Sequence, residues 1–165
     1  MKINKTNAAR LLDRLNITYE MHKVEVSEDD LSAVTVAKLL NQDPAQVFKT
    51  LVCRGDKTGI IMACIPADQE LNLKALAQAS GNKNVAMVHL KEVFPLTGYI
   101  RGGCSPLAAK KNYPVYIDET AILYEQIFVS AGLRGVQLEL NPEDLARATE
   151  ASFFAITSQT DSATK

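Results

Sequence analysis

The chain has 165 residues and a formal net charge of −1, from 18 Lys and Arg against 19 Asp and Glu. That length suffices for one well-buried domain and is short for two, and balanced, interspersed charge gives no strong field for collecting polyanions, so a nucleic-acid partner would be held locally and weakly. No apolar run is long enough to span a bilayer and no signal-peptide pattern opens the chain, while Cys53, Cys64 and Cys104 have neither pairing nor metal-ligand spacing; the expectation is a cytoplasmic chain with reduced thiols.

From Thr6 to Asn16, Ala8, Leu11, Leu12 and Leu15 recur at helical spacing, with Arg10, Asp13 and Arg14 on the other side. Ile17, Tyr19 and Met21 then alternate with polar neighbours up to Val26, as in a strand. The acidic run Ser27 to Asp30 reads as a solvated loop before a second helix around Val36 to Leu40. Asp43-Pro44 pairs an N-cap with an N1 proline and starts a short helical turn. Phe48 to Cys53 and Ile60 to Ile65 read as strands joined by a loop over Gly55 to Gly59.

Lys49 stands at the entrance of the first of these strands. Alternation puts it on the face of Leu51 and Cys53, so it either guards a sheet edge or sits in a pocket beside something it binds.

Asn72 caps a helix from Leu73 to Ser80 that Gly81 terminates, Lys83 to His89 reads as a short strand, and Lys91 to Phe94 as a single turn stopped by Pro95. Strands follow at Pro114 to Asp118, Gln126 to Ser130 and Val136 to Leu140, the last two joined by a turn over Ala131 to Gly135. Asn141-Pro142-Glu143-Asp144 opens a final helix with a cap, an N1 proline and acids in its first turn. Ser158 to Lys165 is small, polar and expected to fray.

The stretch from Thr97 to Leu107 is the one that packing explains worst. Gly102, Gly103, Cys104 and Ser105 precede Pro106, which biases Ser105 away from helix and leaves main-chain amides facing outward. Such a run either builds a site for a carbonyl oxygen or ribose-phosphate from backbone, or makes a tight glycine bend. No serine triad, phosphate loop, dinucleotide fingerprint or metal-ligand spacing is present. His22 and His89 read as structural or surface residues, and Cys104 is a nucleophile candidate without an evident base.

Three segments, Phe48-Lys49-Thr50-Leu51, Thr97 to Pro106 and Val129 to Gly135, in this order and spacing resemble the YbaK family, also called EbsC, of aminoacyl-tRNA deacylases. These are relatives of the editing domain inserted in bacterial prolyl-tRNA synthetases, and the resemblance runs from the first helix to about Ile156. It implies an α+β fold with a curved, partly barrel-like mixed sheet flanked by helices, one domain over residues 1–157 and a flexible tail over 158–165. It also implies hydrolysis of cysteine misattached to proline tRNA without metal or cofactor. The partners implied are the acceptor end of aminoacyl-tRNA and prolyl-tRNA synthetase, with neither membrane nor DNA. Alternatives are a deacylase of the same family for alanine or serine, and a non-catalytic nucleotide- or aminoacyl-binding module.

The family pattern falls on Lys49, Gly102 and Gly103 as catalytic residues and on Thr50, Ser105, Pro106, Ser130, Gly132 and Arg134 as substrate-binding ones. The glycine amides would face the ester carbonyl, Lys49 would anchor the substrate, and Thr50, Ser105 and Ser130 would bond the terminal adenosine or aminoacyl group. The substrate's own thiol would attack. Arg101, Lys110, Lys111 and Arg134 would form a small basic rim. The chain departs from the family pattern at His22-Lys23-Val24, where relatives often read His-Thr-Tyr. It departs again at Leu133, Gln137 and Ala108, where they often carry lysine, an acid and glycine.

Overall fold

In the computed structural model, which describes residues 3–158, the Thr6 hydroxyl accepts the Ala9 N–H and starts α1 (Asn7–Arg14). Ala8 and Leu12 are buried there, as the periodicity predicts, with Leu11 and Leu15 partly buried; Ala9 is buried as well. The following strand β1 (Glu20–Lys23) is shorter than Ile17 to Val26, because Ile17 turns back to close the helix end through its N–H to the Leu12 carbonyl. Ser32 caps α2 (Ala33–Leu39), which begins earlier than the sequence pattern indicates. Asp43 and Pro44 start a single 3₁₀ turn, then β2 (Phe48–Gly55) and β3 (Gly59–Pro66) form the expected hairpin.

A two-residue strand β4 (Glu70–Leu71) leads to α3 (Leu73–Ser80), capped by Asn72 and ended by Gly81 in the left-handed conformation, as read from sequence. After β5 (Val85–Met87), a 3₁₀ turn runs into α4 (Val93–Thr97). Pro95 therefore lies inside a helix instead of stopping a turn. It occupies the first helical turn, where a missing N–H costs no intrahelical bond. Gly98, at φ 83°, provides the stop.

Strand β6 (Val115–Asp118) precedes β7 (Ile127–Leu133) and β8 (Val136–Leu140); α5 (Pro142–Thr149) follows its Asn141 cap as predicted. Strand β7 continues through Ala131 to Leu133, which the sequence pattern assigns to a turn. The reason is a β-bulge between Ser130 and Leu133, with Gly132 at φ 104° and its N–H on the Ser130 hydroxyl. Short β9 (Ser152–Phe154) and β10 (Thr157–Ser158) complete the chain, so Ser158 is paired with Glu70 where fraying was expected; the remainder of that tail, 159–165, lies outside the described residues.

The strands make a five-stranded mixed sheet ordered β5-β2-β3-β6-β9, a three-stranded antiparallel sheet β1-β8-β7, and the β4-β10 pair. A parallel bridge between Val47 and Phe128 joins the two larger sheets without closing a barrel. Between them lies the main core, with Phe48, Val52 and Met62 facing Ile127, Val129, Leu138 and Leu140, and α1 and α5 at its ends. On the opposite face of the larger sheet, Ile61, Ala63 and Ile65 pack on Leu76 and Ala77 of α3. The outward face of the smaller sheet, by pleat alternation, carries His22, Gln137, Glu139, Phe128 and Ser130. It is this face that α2 partly covers.

Gly135 in the β7–β8 turn has φ 78°, and a Cβ there would stand 2.4 Å from the Val24 carbonyl oxygen. Gly135→Ala should therefore lower the unfolding free energy by roughly 2 kcal/mol or more, from left-handed strain plus overlap. Equilibrium urea denaturation reads this directly; a variant as stable as the parent would show that the turn is not constrained.

Candidate active site

The start of β2, the glycine loop and the floor made by β7 and β8 enclose a cleft of about 420 Å³, a size that suits a small ligand. Lys49 and Thr50 line one side, Arg101, Gly102 and Cys104 the other, and Ser130 with Gln137 the floor. The fourth wall is the segment from Asp29 to Val34. The acidic run is thus more than a solvated loop: the Asp30 carboxylate accepts from Ser32 N–H and from Thr35 Oγ1, which folds the run over the cleft and onto α2.

Lys49 is half-buried and donates to the Ala67 carbonyl at 3.1 Å, with no carboxylate within ion-pairing distance among the described residues. Burial lowers its pKa from the ordinary lysine value, against weaker raising by Glu70 and Asp68. One of three ammonium protons is committed, so two remain for a ligand. Thr50 Oγ1 lies 3.6 Å from the Cys64 sulfur. The Ser130 hydroxyl accepts the Gly132 N–H at 3.0 Å and keeps its own proton available.

The glycine pair divides its work. Gly102, at φ 83°, has no amide partner among the described residues and faces Leu31, whose Cβ would be 3.2 Å from an added Cβ. Gly103 is buried and its N–H donates to the Ile100 carbonyl at 2.9 Å, so it is not free for a substrate in this conformation. A side chain at 103 would meet the Leu133–Arg134 backbone at 3.2 to 3.3 Å. Its smallness serves close packing of two backbones.

Four more of the predicted residues have packing roles outside the cleft lining. Ser105 is fully buried and its hydroxyl accepts the Leu107 N–H at 3.2 Å. Pro106 lines a separate groove behind the loop, together with Leu107, Tyr113 and Arg147. Gly132 leaves room for the Tyr99 ring, whose hydroxyl donates to the Leu107 and Ala108 carbonyls. Arg134 donates from Nε to the Arg101 carbonyl at 2.8 Å and reaches to 3.9 Å from Glu28. It ties the glycine loop to the β7–β8 hairpin. The expected basic rim shrinks accordingly: Lys110 is held on the Pro95 carbonyl and Lys111 lines the rear groove.

Gln137 and the Asp29 to Val34 wall were not legible as site residues, because a single polar residue in a strand reads as surface and a loop's tertiary placement leaves no local mark. The pairing of β1 with β8 also gathers Glu20, His22 and Glu139, one ligand atom each within 4.8 Å, which no local spacing revealed. His22 Nε2 sits 2.8 Å from Glu139 Oε1 and its ring leans on Phe128, so pairing accounts for these two groups, while Glu20 is exposed.

Residues 28–148 match the aminoacyl-tRNA editing domain, and the chain belongs to that family. A protein of Enterococcus faecalis that carries the provisional name Cys-tRNA(Pro)/Cys-tRNA(Cys) deacylase EbsC is 50% identical over 155 residues, 94% of each chain. Proline–tRNA ligase of Thermosipho africanus is 31% identical over 59% of this chain but only 17% of the ligase. Among solved structures, hypothetical protein APE2540 superposes with TM-score 0.84 at 23% identity, covering 93% of this chain and 100% of that one. A provisionally named trans-editing enzyme for prolyl tRNA synthetase superposes with TM-score 0.78 at 21% identity, covering 94% and 100%. The α+β fold and the YbaK/EbsC relationship read from the three motifs therefore hold.

Burial pushes the Cys104 thiol up to about 11, with a hydrogen bond to Thr97 acting the other way. At pH 8 only about one thiol in a thousand is then ionised. Alkylation of Cys104 by iodoacetamide should be slow at neutral pH and rise about tenfold per pH unit up to about 11, followed by mass spectrometry; a plateau below pH 9 would show an activated nucleophile.

Proposed function

We propose that the chain is a free-standing editing hydrolase that removes cysteine from mischarged Cys-tRNA(Pro) by substrate-assisted ester hydrolysis. The observation that carries this reading is a cleft that offers an ammonium and a free glycine amide but no protein base or activated nucleophile. No histidine lines it, and the carboxylates that do, on Asp29 and Asp30, sit at its exposed lip. An aminoacyl ester is already activated, so the protein need only hold it and stabilise charge on its carbonyl oxygen.

Lys49 and the Gly102 N–H are the donors for that oxygen, and Thr50 and Ser130 are placed for the adenosine ribose or the aminoacyl group. The cysteine sulfur bonds to the ester carbon as the carbon–oxygen bond to the ribose breaks. Its proton passes to the ribose oxygen, and water then opens the cyclic thioester to free cysteine. The 50% identical relative named for Cys-tRNA deacylation supports the cargo, and the ligase relatives support the tRNA. Exposed Arg101 and partly exposed Arg134 face an acidic lip at Glu28 to Asp30, so few phosphates are neutralised and tRNA binds weakly. Delivery by prolyl-tRNA synthetase fits that weakness.

Deacylation assays across cysteinyl-, alanyl-, seryl- and prolyl-tRNA should show selective release of cysteine. Lys49→Ala should cut the rate by about 10² to 10³-fold, the scale of one lost preorganised donor, with thermal stability unchanged. Cys104→Ala should retain activity. Release of no amino acid from any tRNA would favour a binding module, and loss in Cys104→Ala a protein thiol nucleophile.

A further inference from the structure

Among the described residues, Gln137 Oε1 is the one fully buried side-chain oxygen or nitrogen without a hydrogen-bond partner. The residue is 6% exposed and lines the cleft floor beside Ser130, its cross-strand partner. Its strand neighbours Val136 and Leu138 face the core, so pleat alternation alone directs Gln137 to the cleft. Buried acceptors are normally paired, and one left unpaired on a residue that lines a ligand-sized cleft calls for a partner.

The surrounding protein groups do not supply it. His22, opposite on β1, has its Nε2 on Glu139 at 2.8 Å; the Lys49 ammonium is directed to Ala67 at 3.1 Å. Ser130 Oγ takes the Gly132 N–H and makes no hydrogen bond with Gln137. The terminal side-chain torsion of glutamine is broad and roughly two-fold, so rotation about that bond turns the amide oxygen into the cleft.

We infer that Gln137 is a substrate-reading residue, whose amide oxygen accepts a hydrogen bond from an N–H or O–H donor on the terminal aminoacyl-adenosine. This rests on the deacylase reading above. Two donors fit: the α-ammonium of the esterified amino acid and a ribose hydroxyl. The ammonium is the better match to the floor, because the lining carboxylates are at the lip and that of Asp30 is already occupied by Ser32 and Thr35. Only neutral acceptors serve a cation held deeper in the cleft.

The test uses calorimetric binding of an unreactive adenosine bearing cysteine on its 3′ position through an amide, with its desamino and 2′-deoxy counterparts. Gln137→Met, which removes the acceptor at similar volume, should weaken binding of the parent compound about tenfold or more, while Gln137→Glu, which keeps an acceptor, should not. A deficit that vanishes on the desamino compound assigns the α-ammonium, and one that vanishes on the 2′-deoxy compound assigns the ribose. The melting temperature of ligand-free Gln137→Met should be unchanged or higher, since replacing an unpaired buried acceptor by an apolar group relieves it. Unaltered binding by Gln137→Met, an equal deficit on all three compounds, a lowered melting temperature, or a parent protein that binds none of them overturns the inference. If the variants behave as wild type while wild type still deacylates Cys-tRNA, the inference alone fails; a wild type without deacylation defeats the functional reading itself.

Discussion

Two backbones meet where Gly103 lies against the Leu133–Arg134 peptide, close enough that an added Cβ would stand only 3.2–3.3 Å from that backbone, tighter than ordinary contact. The arrangement of the cleft depends on that approach. It brings the glycine loop onto the β7–β8 hairpin, where Arg134 fixes the Arg101 carbonyl and the Tyr99 ring fills the space over Gly132. Gly102 is then presented toward Leu31, opposite Lys49 and Thr50 across the cavity. Most of what the motifs preserve is therefore a way of holding one loop still. Rigid placement is what an oxyanion donor needs, since a donor that must reorganise during reaction forfeits much of its effect.

A site so assembled does chemistry with very little. The thiols of Cys53 and Cys64 are buried and pushed up to about 12, which keeps both as inert packing groups. Among the charged groups that line the cleft, the Lys49 ammonium is half-buried, its pKa lowered by desolvation, and no carboxylate lies within ion-pairing distance of it among the described residues. Under the proposed function, the acidic lip opposite Arg101 works against tight tRNA binding. Under that proposal, selectivity comes from the small end of the substrate, inside the cleft, and much less from the nucleic acid.

Local chemistry was legible in the chain and tertiary placement was not. Thr6, Asn72 with Gly81, and Asn141 with Pro142 mark helix ends because each cap is satisfied within four residues. Lys49, Thr50, Gly102 and Ser130 are found together in the cleft, yet Gly103, Ser105, Pro106, Gly132 and Arg134 support it from outside its lining. A motif records that a residue matters without recording which side of the loop it faces. Gln137 stands out in the sequence only as a departure from the family pattern, because its unpaired acceptor is a property of the fold, and the bulge at Ala131–Gly132 is hidden because two extra residues in a strand read like a turn. Pro95 misled for the opposite reason, a strong local signal whose cost is nil in a first helical turn.

The parallel strand β9 and the tiny β10 have a consequence for how the molecule is made. Phe153 pairs beside Ile117, and Ser158 beside Glu70, so the last described residues bind segments synthesised far earlier. During synthesis the outer rim of β6 stays unpaired until Ser152–Phe154 have been made. Completion of the large sheet is accordingly tied to the emergence of β9, and a nascent chain stalled before Ser152 would present that open edge to its neighbours.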